Sequence, residues 1–353
     1  MNTPLVRVAV CTAIALLAAC ADRDPTAPSI PETPRADQAA APTPAGAGPQ
    51  ASDAILFSGA VIDKKTKERS YQILRANPDG SGLTQITSGP GTRRWPAWSK
   101  DRTKIAFVAA VGDQLELYVM NADGSGQKRL TSTAGWHEKH PVFMPNGQQI
   151  VYERTRKFGT GDTLKAEVRI VDVTGANDKD PGWSNTCVSS PSVTCPLPAQ
   201  PGDPGQREPT VFENSTTGLQ LVTMSARHPL TLTHDFVYFT PGHNIPTWLD
   251  PVQSPNRVQD PHWSPDGFKL AFTLGGTIMV WSSQTGQVIA SISYKDPVTQ
   301  KGVALSDPSW SPDSKLLVAK AANGGLAIVD PYIFKVTPLF PTAYSYGEPS
   351  WTR

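Results

Sequence analysis

The chain has 353 residues, and its 32 Lys and Arg stand against 31 Asp and Glu. That balance excludes the strong basic excess of a generic nucleic-acid binder. With 34 Pro, 28 Gly and only 39% hydrophobic residues, the composition disfavours long helices and points to short strands and turns.

Residues 1–19 have the layout of a secretory signal, with Arg7 followed by an apolar run too short to span a bilayer. Its end, Leu17-Ala18-Ala19-Cys20, resembles the lipobox of bacterial lipoproteins. The resemblance implies cleavage before Cys20 and a lipid on that residue. By the matching sorting rule, Ala21 in place of an Asp implies the outer membrane. Residues 20–53 read as a disordered tether, rich in Pro and Ala and without an aromatic residue.

From residue 54 to 353 a repeat takes over. Asp260-Pro261-His262-Trp263-Ser264-Pro265-Asp266-Gly267 runs into Leu270-Ala271-Phe272, and related pieces surround Pro96, Pro141, Pro209, Pro308 and Pro349. Taken in chain order, these prolines stand 45, 68, 52, 47 and 41 residues apart, close to the period of four-stranded propeller blades. Pro-x-Trp starts an inner strand, Pro-Asp-Gly makes a turn, and the apolar triplet makes a buried second strand. The Asn77–Gly82 and Asn121–Gly126 segments read as hairpin turns, since neither has the Glu a calcium loop requires. The first repeat lacks its Pro-x-Trp strand, and the chain ends on one. The sequence therefore predicts an all-β, six-bladed β-propeller of four-stranded blades, closed by the C-terminal strand joining the N-terminal blade.

These repeats resemble the TolB-type, WD40-like (PD40) β-propeller repeat family. The resemblance covers about residues 54–353, with an insertion at about 175–208. It implies the fold; function has to be read from the site. TolB carries an α/β domain before its propeller, whereas here the tether occupies that place.

No Gly-x-Ser-x-Gly elbow is present, and His137-Glu138-Lys139-His140 lacks the spacing of a zinc-protease helix and reads as an inter-blade loop. The residues before the repeat prolines are Trp95, His140, Glu208, Asp260, Asp307 and Glu348, and they should ring one channel mouth. Either each acid accepts backbone N–H groups of a neighbouring blade, or the ring holds a divalent cation or basic peptide. The loops of that face carry Lys64, Lys65, Lys67, Arg69, Arg93, Arg94, Arg154, Arg156 and Lys157, a solvated rim or a surface for an anionic partner. Cys187 and Cys195 are the pair left for a disulfide in an oxidising compartment. The expected protein is a monomeric, lipid-anchored envelope scaffold without catalysis or cofactor. It would bind an envelope protein or anionic polymer and no nucleic acid. The alternatives are an enzyme of the oligogalacturonate-lyase kind with a channel metal, and a saccharide-binding surface lipoprotein.

Overall fold

The computed structural model describes residues 53–62, 67–157, 164–181, 207–213, 220–227, 234–239, 247–249, 258–340 and 346–351. The signal, Cys20, the tether, Lys64, Lys65, Cys187 and Cys195 lie outside the described residues. The insertion is described only at its two ends.

Each repeat folds into one antiparallel sheet whose first strand is innermost. The second sheet runs outward from Arg93–Trp98 through Lys104–Val111 and Gln114–Asn121 to Lys128–Arg129. The fourth begins with Arg207–Glu213, the fifth with Val258–Trp263 and the sixth with Leu305–Trp310, and each has four strands. In the first sheet the inner strand is the C-terminal segment Tyr346–Ser350, paired antiparallel with Ile55–Ile62. Chain closure across the sheet thus takes the predicted form, and it removes the edge that Ile55–Ile62 would otherwise expose. The small hairpin Tyr294–Lys295 with Gly302–Val303 lies between the fifth and sixth sheets in the chain.

The sheet of the third repeat departs from the expectation of four strands. Among the described residues it has three: His137–Phe143, Gln149–Lys157 and Leu164–Asp172. Beyond them a single bridge joins Ile170 to Lys179 through two backbone hydrogen bonds of 3.0 and 3.1 Å. Among the described residues, complete four-stranded sheets number five. The physical reason is local: the turn after Asp172 is followed by Asn177, Asp178, Lys179 and Asp180, polar residues with low strand propensity. The segment His137–His140, expected as a loop, is the start of that sheet's inner strand.

The core sits between the sheets. Ile105–Val108, Leu270–Phe272 and Leu317–Ala319 are wholly buried, because each second strand is covered on both faces by neighbouring sheets. Indole N–H groups stitch the sheets together. Trp310 Nε1 donates to His262 O (3.1 Å), Trp263 Nε1 to Thr223 Oγ1 (2.8 Å) and Trp98 Nε1 to Ala54 O (3.2 Å). Each of these tryptophans thus buries its ring and satisfies its one polar atom on an adjacent sheet. The Ser-x-Asp turns of the second, fifth and sixth repeats close the same way. Ser264 Oγ bonds Asp266 Oδ1 (2.5 Å), and Lys269 N donates back to Ser264 Oγ (3.0 Å).

Candidate functional site

The inner strands carry an identical irregularity. Register shifts fall between Arg94 and Ala97, Lys139 and Val142, Arg207 and Thr210, Gln259 and His262, and Ser306 and Ser309. At each shift the pre-proline residue adopts φ between +46° and +54° (Trp95, His140, Glu208, Asp260 and Asp307), and Glu348 joins them at +50°. A bulky residue in this left-handed region is strained by about 1–3 kcal/mol. The bulge turns each of these residues out of its ladder. All six pre-proline side chains consequently line one cavity of about 190 Å³, walled by Pro96, Pro141, Pro209, Pro261, Pro308 and Pro349. The structure thus brings the six pre-proline residues to one cavity.

What satisfies the ring is mostly the scaffold itself. Asp260 N donates to Glu208 Oε2 (3.0 Å), and Asp307 N donates to Asp260 Oδ2 (3.2 Å). Glu208 and Asp260 therefore each receive the backbone N–H of the next inner strand. A hydrogen bond to a charged group contributes about 1.5–3 kcal/mol, enough to offset the strain of the bulge it holds. At the third repeat His140 stands where an acid is wanted. There Glu153, from the second strand, accepts Glu208 N (3.1 Å) with the same oxygen that meets His140 Nδ1 (2.9 Å). Glu348 pairs with Arg94 through one carboxylate oxygen, and its Oε2 is buried without a partner.

Sequence reading missed the role of Glu153 beside the ring, and the register shows the signal it overlooked. The second-strand residue beside each bulge complements the pre-proline residue. In the register Val108 pairs with Arg94, Glu153 with Lys139, Thr273 with Gln259 and Lys320 with Ser306, in each case the residue just before the pre-proline one. Lys320 Nζ lies 3.9 Å from Asp307 Oδ2. A charge set in an otherwise apolar second strand, such as Glu153 after Ile150-Val151-Tyr152, marks such a position.

The electrostatics follow from this crowding. Burial opposes a charge on His140, but Glu153, Glu208 and Asp260 outweigh it and raise its pKa to about 9. Burial and Glu208 push Asp260 up to about 6, against the pull of His140. Burial and Asp260 push Asp307 to about 6, opposed by Lys320. Burial lowers His262, also in the cavity wall, to about 4. Among the described residues, no three His, Cys, Asp or Glu side chains converge as metal ligands. The ring carboxylates point at backbone N–H groups and cations of the protein itself.

The rim cations are engaged within the molecule as well. Arg94 lies over the rings of Tyr71 (5.2 Å) and Trp95 (4.6 Å). Arg93 Nη1 donates to Pro90 O (3.1 Å) and Gln72 Oε1 (3.3 Å). Arg154 grips Glu167 through two bonds of 3.0 and 2.7 Å. It and Arg156 also lie over the buried Trp136, at 4.2 and 4.6 Å from the ring centroid. Lys67 and Arg69 are exposed at the start of the third strand of the first sheet, with Arg69 5.9 Å from the Tyr71 ring. Lys157 ends the second strand of the third sheet. The structure thus assembles some predicted rim cations into the sheet packing and leaves others at its edge.

Beside Arg154 in the register sits Glu138, which the sequence reading placed in an inter-blade loop. Its side chain is wholly buried and neither oxygen has a hydrogen-bond partner. Burial and the nearby Glu116 raise its pKa to about 8, with Arg154 pulling the other way. Glu116 itself is held by Arg129 (2.6 Å) and Thr131 (2.7 Å).

No protein-family model matches the chain. An 82-residue stretch is 38% identical to the Tol-Pal system protein TolB of Rhizorhabdus wittichii, covering 21% of this chain and 17% of that protein. A 106-residue stretch is 31% identical to TolB of Gluconobacter oxydans, covering 27% and 23%. A 98-residue stretch is 29% identical to dipeptidyl-peptidase 5 of Porphyromonas endodontalis, covering 28% and 14%. The chain thus spans less than a quarter of the length of these curated relatives. Among solved structures, TolB from Acinetobacter baumannii superposes with a TM-score of 0.61 at 17% identity, over 85% of this chain and 66% of that one. Hydrazine synthase from Kuenenia stuttgartiensis gives 0.59 at 12%, over 84% and 46%. A fold shared by proteins so differently named carries no activity with it; what these likenesses establish is a TolB-like β-propeller.

Proposed function

We propose that this chain is a non-catalytic interaction propeller of a bacterial cell envelope, held to the membrane by a lipid on Cys20. Its binding element is the mouth ringed by the pre-proline residues. We read the three-stranded sheet of the third repeat as a sixth blade, since its inner strand has the same bulge as those of the complete sheets. One observation carries the reading. Glu208 and Asp260 accept neighbouring backbone N–H groups, as Glu153 does beside them, while Asp307 faces Lys320 and Glu348 pairs with Arg94, which makes the mouth a concave surface whose acids are mostly engaged by the protein itself. The resemblance to Tol-Pal proteins favours the envelope, and the lipobox favours anchoring there. The acid excess of the ring favours a partner that inserts a basic side chain.

Two experiments test this. Cys20→Ser should release the protein from membranes into the soluble fraction, and unchanged membrane retention would refute the anchor. Crosslinking from the mouth in envelope preparations should capture one partner that Trp95→Ala, which removes a cavity-lining ring, no longer captures. An identical crosslinking pattern for both proteins would exclude the mouth as the binding surface.

A further inference from the structure

Across the third sheet, from the inner strand outward, Glu138 stands opposite Arg154 and Arg154 opposite Glu167. Opposed residues of antiparallel strands share one face of a sheet, so this row sets one cation between two carboxylates. Only one of them holds it. Arg154 donates from Nε (3.0 Å) and Nη2 (2.7 Å) to Glu167 Oε2, whereas both Glu138 oxygens are buried without a hydrogen-bond partner. The fork of donors that a guanidinium offers a carboxylate is thus spent on the outer acid.

Nothing in the fold requires a carboxylate at this place. The matching inner-strand residues, each three before a repeat proline, are the buried Val258, Leu305 and Tyr346 of the fifth, sixth and first sheets, and Arg93 of the second. The other charged groups around Glu138 are engaged elsewhere. Glu116, facing it from the second sheet, accepts Arg129 Nη2 (2.6 Å) on one oxygen and the Thr131 hydroxyl (2.7 Å) on the other. Arg156, on the same strand face as Arg154, lies over Trp136 (4.6 Å). Asp178, past the third strand, accepts the Tyr152 hydroxyl (2.9 Å) and Arg169 Nε (3.1 Å). Arg154 is therefore the cation that the register sets against Glu138. A buried carboxyl without a partner favours its protonated form, and ionisation would create a charge for which Arg154 is in reach.

We propose that Glu138 is a proton-operated switch that decides which carboxylate Arg154 holds. With Glu138 protonated, Arg154 grips Glu167, as in this structure. With Glu138 ionised, Arg154 turns inward to it and lets go of Glu167. The exchange carries one positive charge from the partly exposed edge of the row, where the Glu167 side chain is 25% exposed, to the buried inner strand. Two residues further along that strand His140 lines the cavity, so the moving charge lies at the ringed end of the sheet. Burial and Glu116 raise the pKa of Glu138 to about 8 against the pull of Arg154, which puts the exchange in mild alkali. The switch is independent of the lipid on Cys20 and of any occupant of the mouth.

NMR of the full chain carrying Cys20→Ser, isotope-labelled at glutamate Cδ and arginine Nε, tests it by titration through neutral and alkaline pH. The Glu138 signal, identified by its loss in Glu138→Gln, should titrate near pH 8. The Arg154 Nε signal, identified by its loss in Arg154→Lys, should shift with the same midpoint, and Glu138→Gln should abolish that shift. Glu167→Gln should lower the Glu138 midpoint by about one unit, because Arg154 is then released to the inner acid. This last variant changes a partly exposed side chain and keeps its shape, so it carries the test even if Glu138→Gln does not fold. An Arg154 signal that stays flat while Glu138 titrates would overturn the switch. So would a Glu138 midpoint that Glu167→Gln leaves unmoved, since burial alone would then set it, or a Glu138 that titrates in the ordinary carboxylate range.

Discussion

The fifth and third repeats build the same sheet from opposite resources. The fifth keeps the full repeat: Trp263 packs on Phe212 and Trp281, and Asp260 delivers its carboxylate to the next strand's N–H. The third has Phe143 and Met144 where the fifth has Trp263 and Ser264, and His140 where the fifth has Asp260. It still supplies a carboxylate to the next bulge, but from Glu153 on another strand. The bulged backbone N–H needs an acceptor, and the identity of the residue providing it is secondary. Losing the aromatic-rich core also goes with more buried charge, since Glu116, Glu138 and Glu153 are all buried at or beside the third sheet.

The largest test of this contrast is the tryptophan. Trp263→Ala removes a ring packed on two aromatic neighbours and the 2.8 Å bond to Thr223, and should cost about 3–5 kcal/mol in denaturant unfolding. Phe143→Ala, at the matching position, should cost less because no indole bond crosses to the neighbouring sheet. Equal costs would show that packing alone distinguishes the two repeats.

Glu153→Ala should come next, at about 1–3 kcal/mol, because it strands Glu208 N–H and His140 together. Glu153→Gln keeps an acceptor and removes the charge, so its effect should fall on titration. With its folded pKa raised to about 9, His140 contributes stability that is fully present below its ordinary value. That contribution is lost as pH rises through 9. In Glu153→Gln that loss should flatten, and the His140 midpoint should fall when followed by NMR.

A smaller and opposite effect is expected at Glu138. Its carboxyl is held protonated in the folded protein to about pH 8, so its ionisation withdraws stability as pH climbs from about 4.5 to 8. Glu138→Gln should raise the melting temperature at pH 8 by a few degrees, about 1–2 kcal/mol, and leave it unchanged at pH 4.5. In the fifth repeat the corresponding slope belongs to Asp260 and ends near pH 6. The two regions should therefore separate in a stability–pH profile of the two variants.

The smallest expected shift is the response to divalent cations. With Glu208 and Asp260 turned to backbone N–H groups and Asp307 and Glu348 facing Lys320 and Arg94, millimolar calcium or manganese should raise the melting temperature by less than about 1 °C. A larger rise that Asp260→Asn with Asp307→Asn abolishes would make the ring a cation site in the fifth and sixth repeats.

Much of this architecture was legible in the chain. Pro-x-Trp, Pro-Asp-Gly and the buried triplets specify local conformation through φ restriction, turn chemistry and burial, and they recur, so the propeller and its closing strand could be read before any coordinates. The ring positions could be read too, because the proline marks the bulge. Three-dimensional neighbours decided the rest. His140 reads as a ligand until the sheet brings the Glu153 carboxylate to its ring. Arg154 and Arg156 read as rim charges until Trp136 lies beneath them. Glu138 looks like an ordinary loop acid until the inner strand of the third sheet buries it. Local sequence sets which conformation a residue prefers. Solvent access and the charge across the sheet depend on partners dozens of residues away, and only the closed ring brings them together.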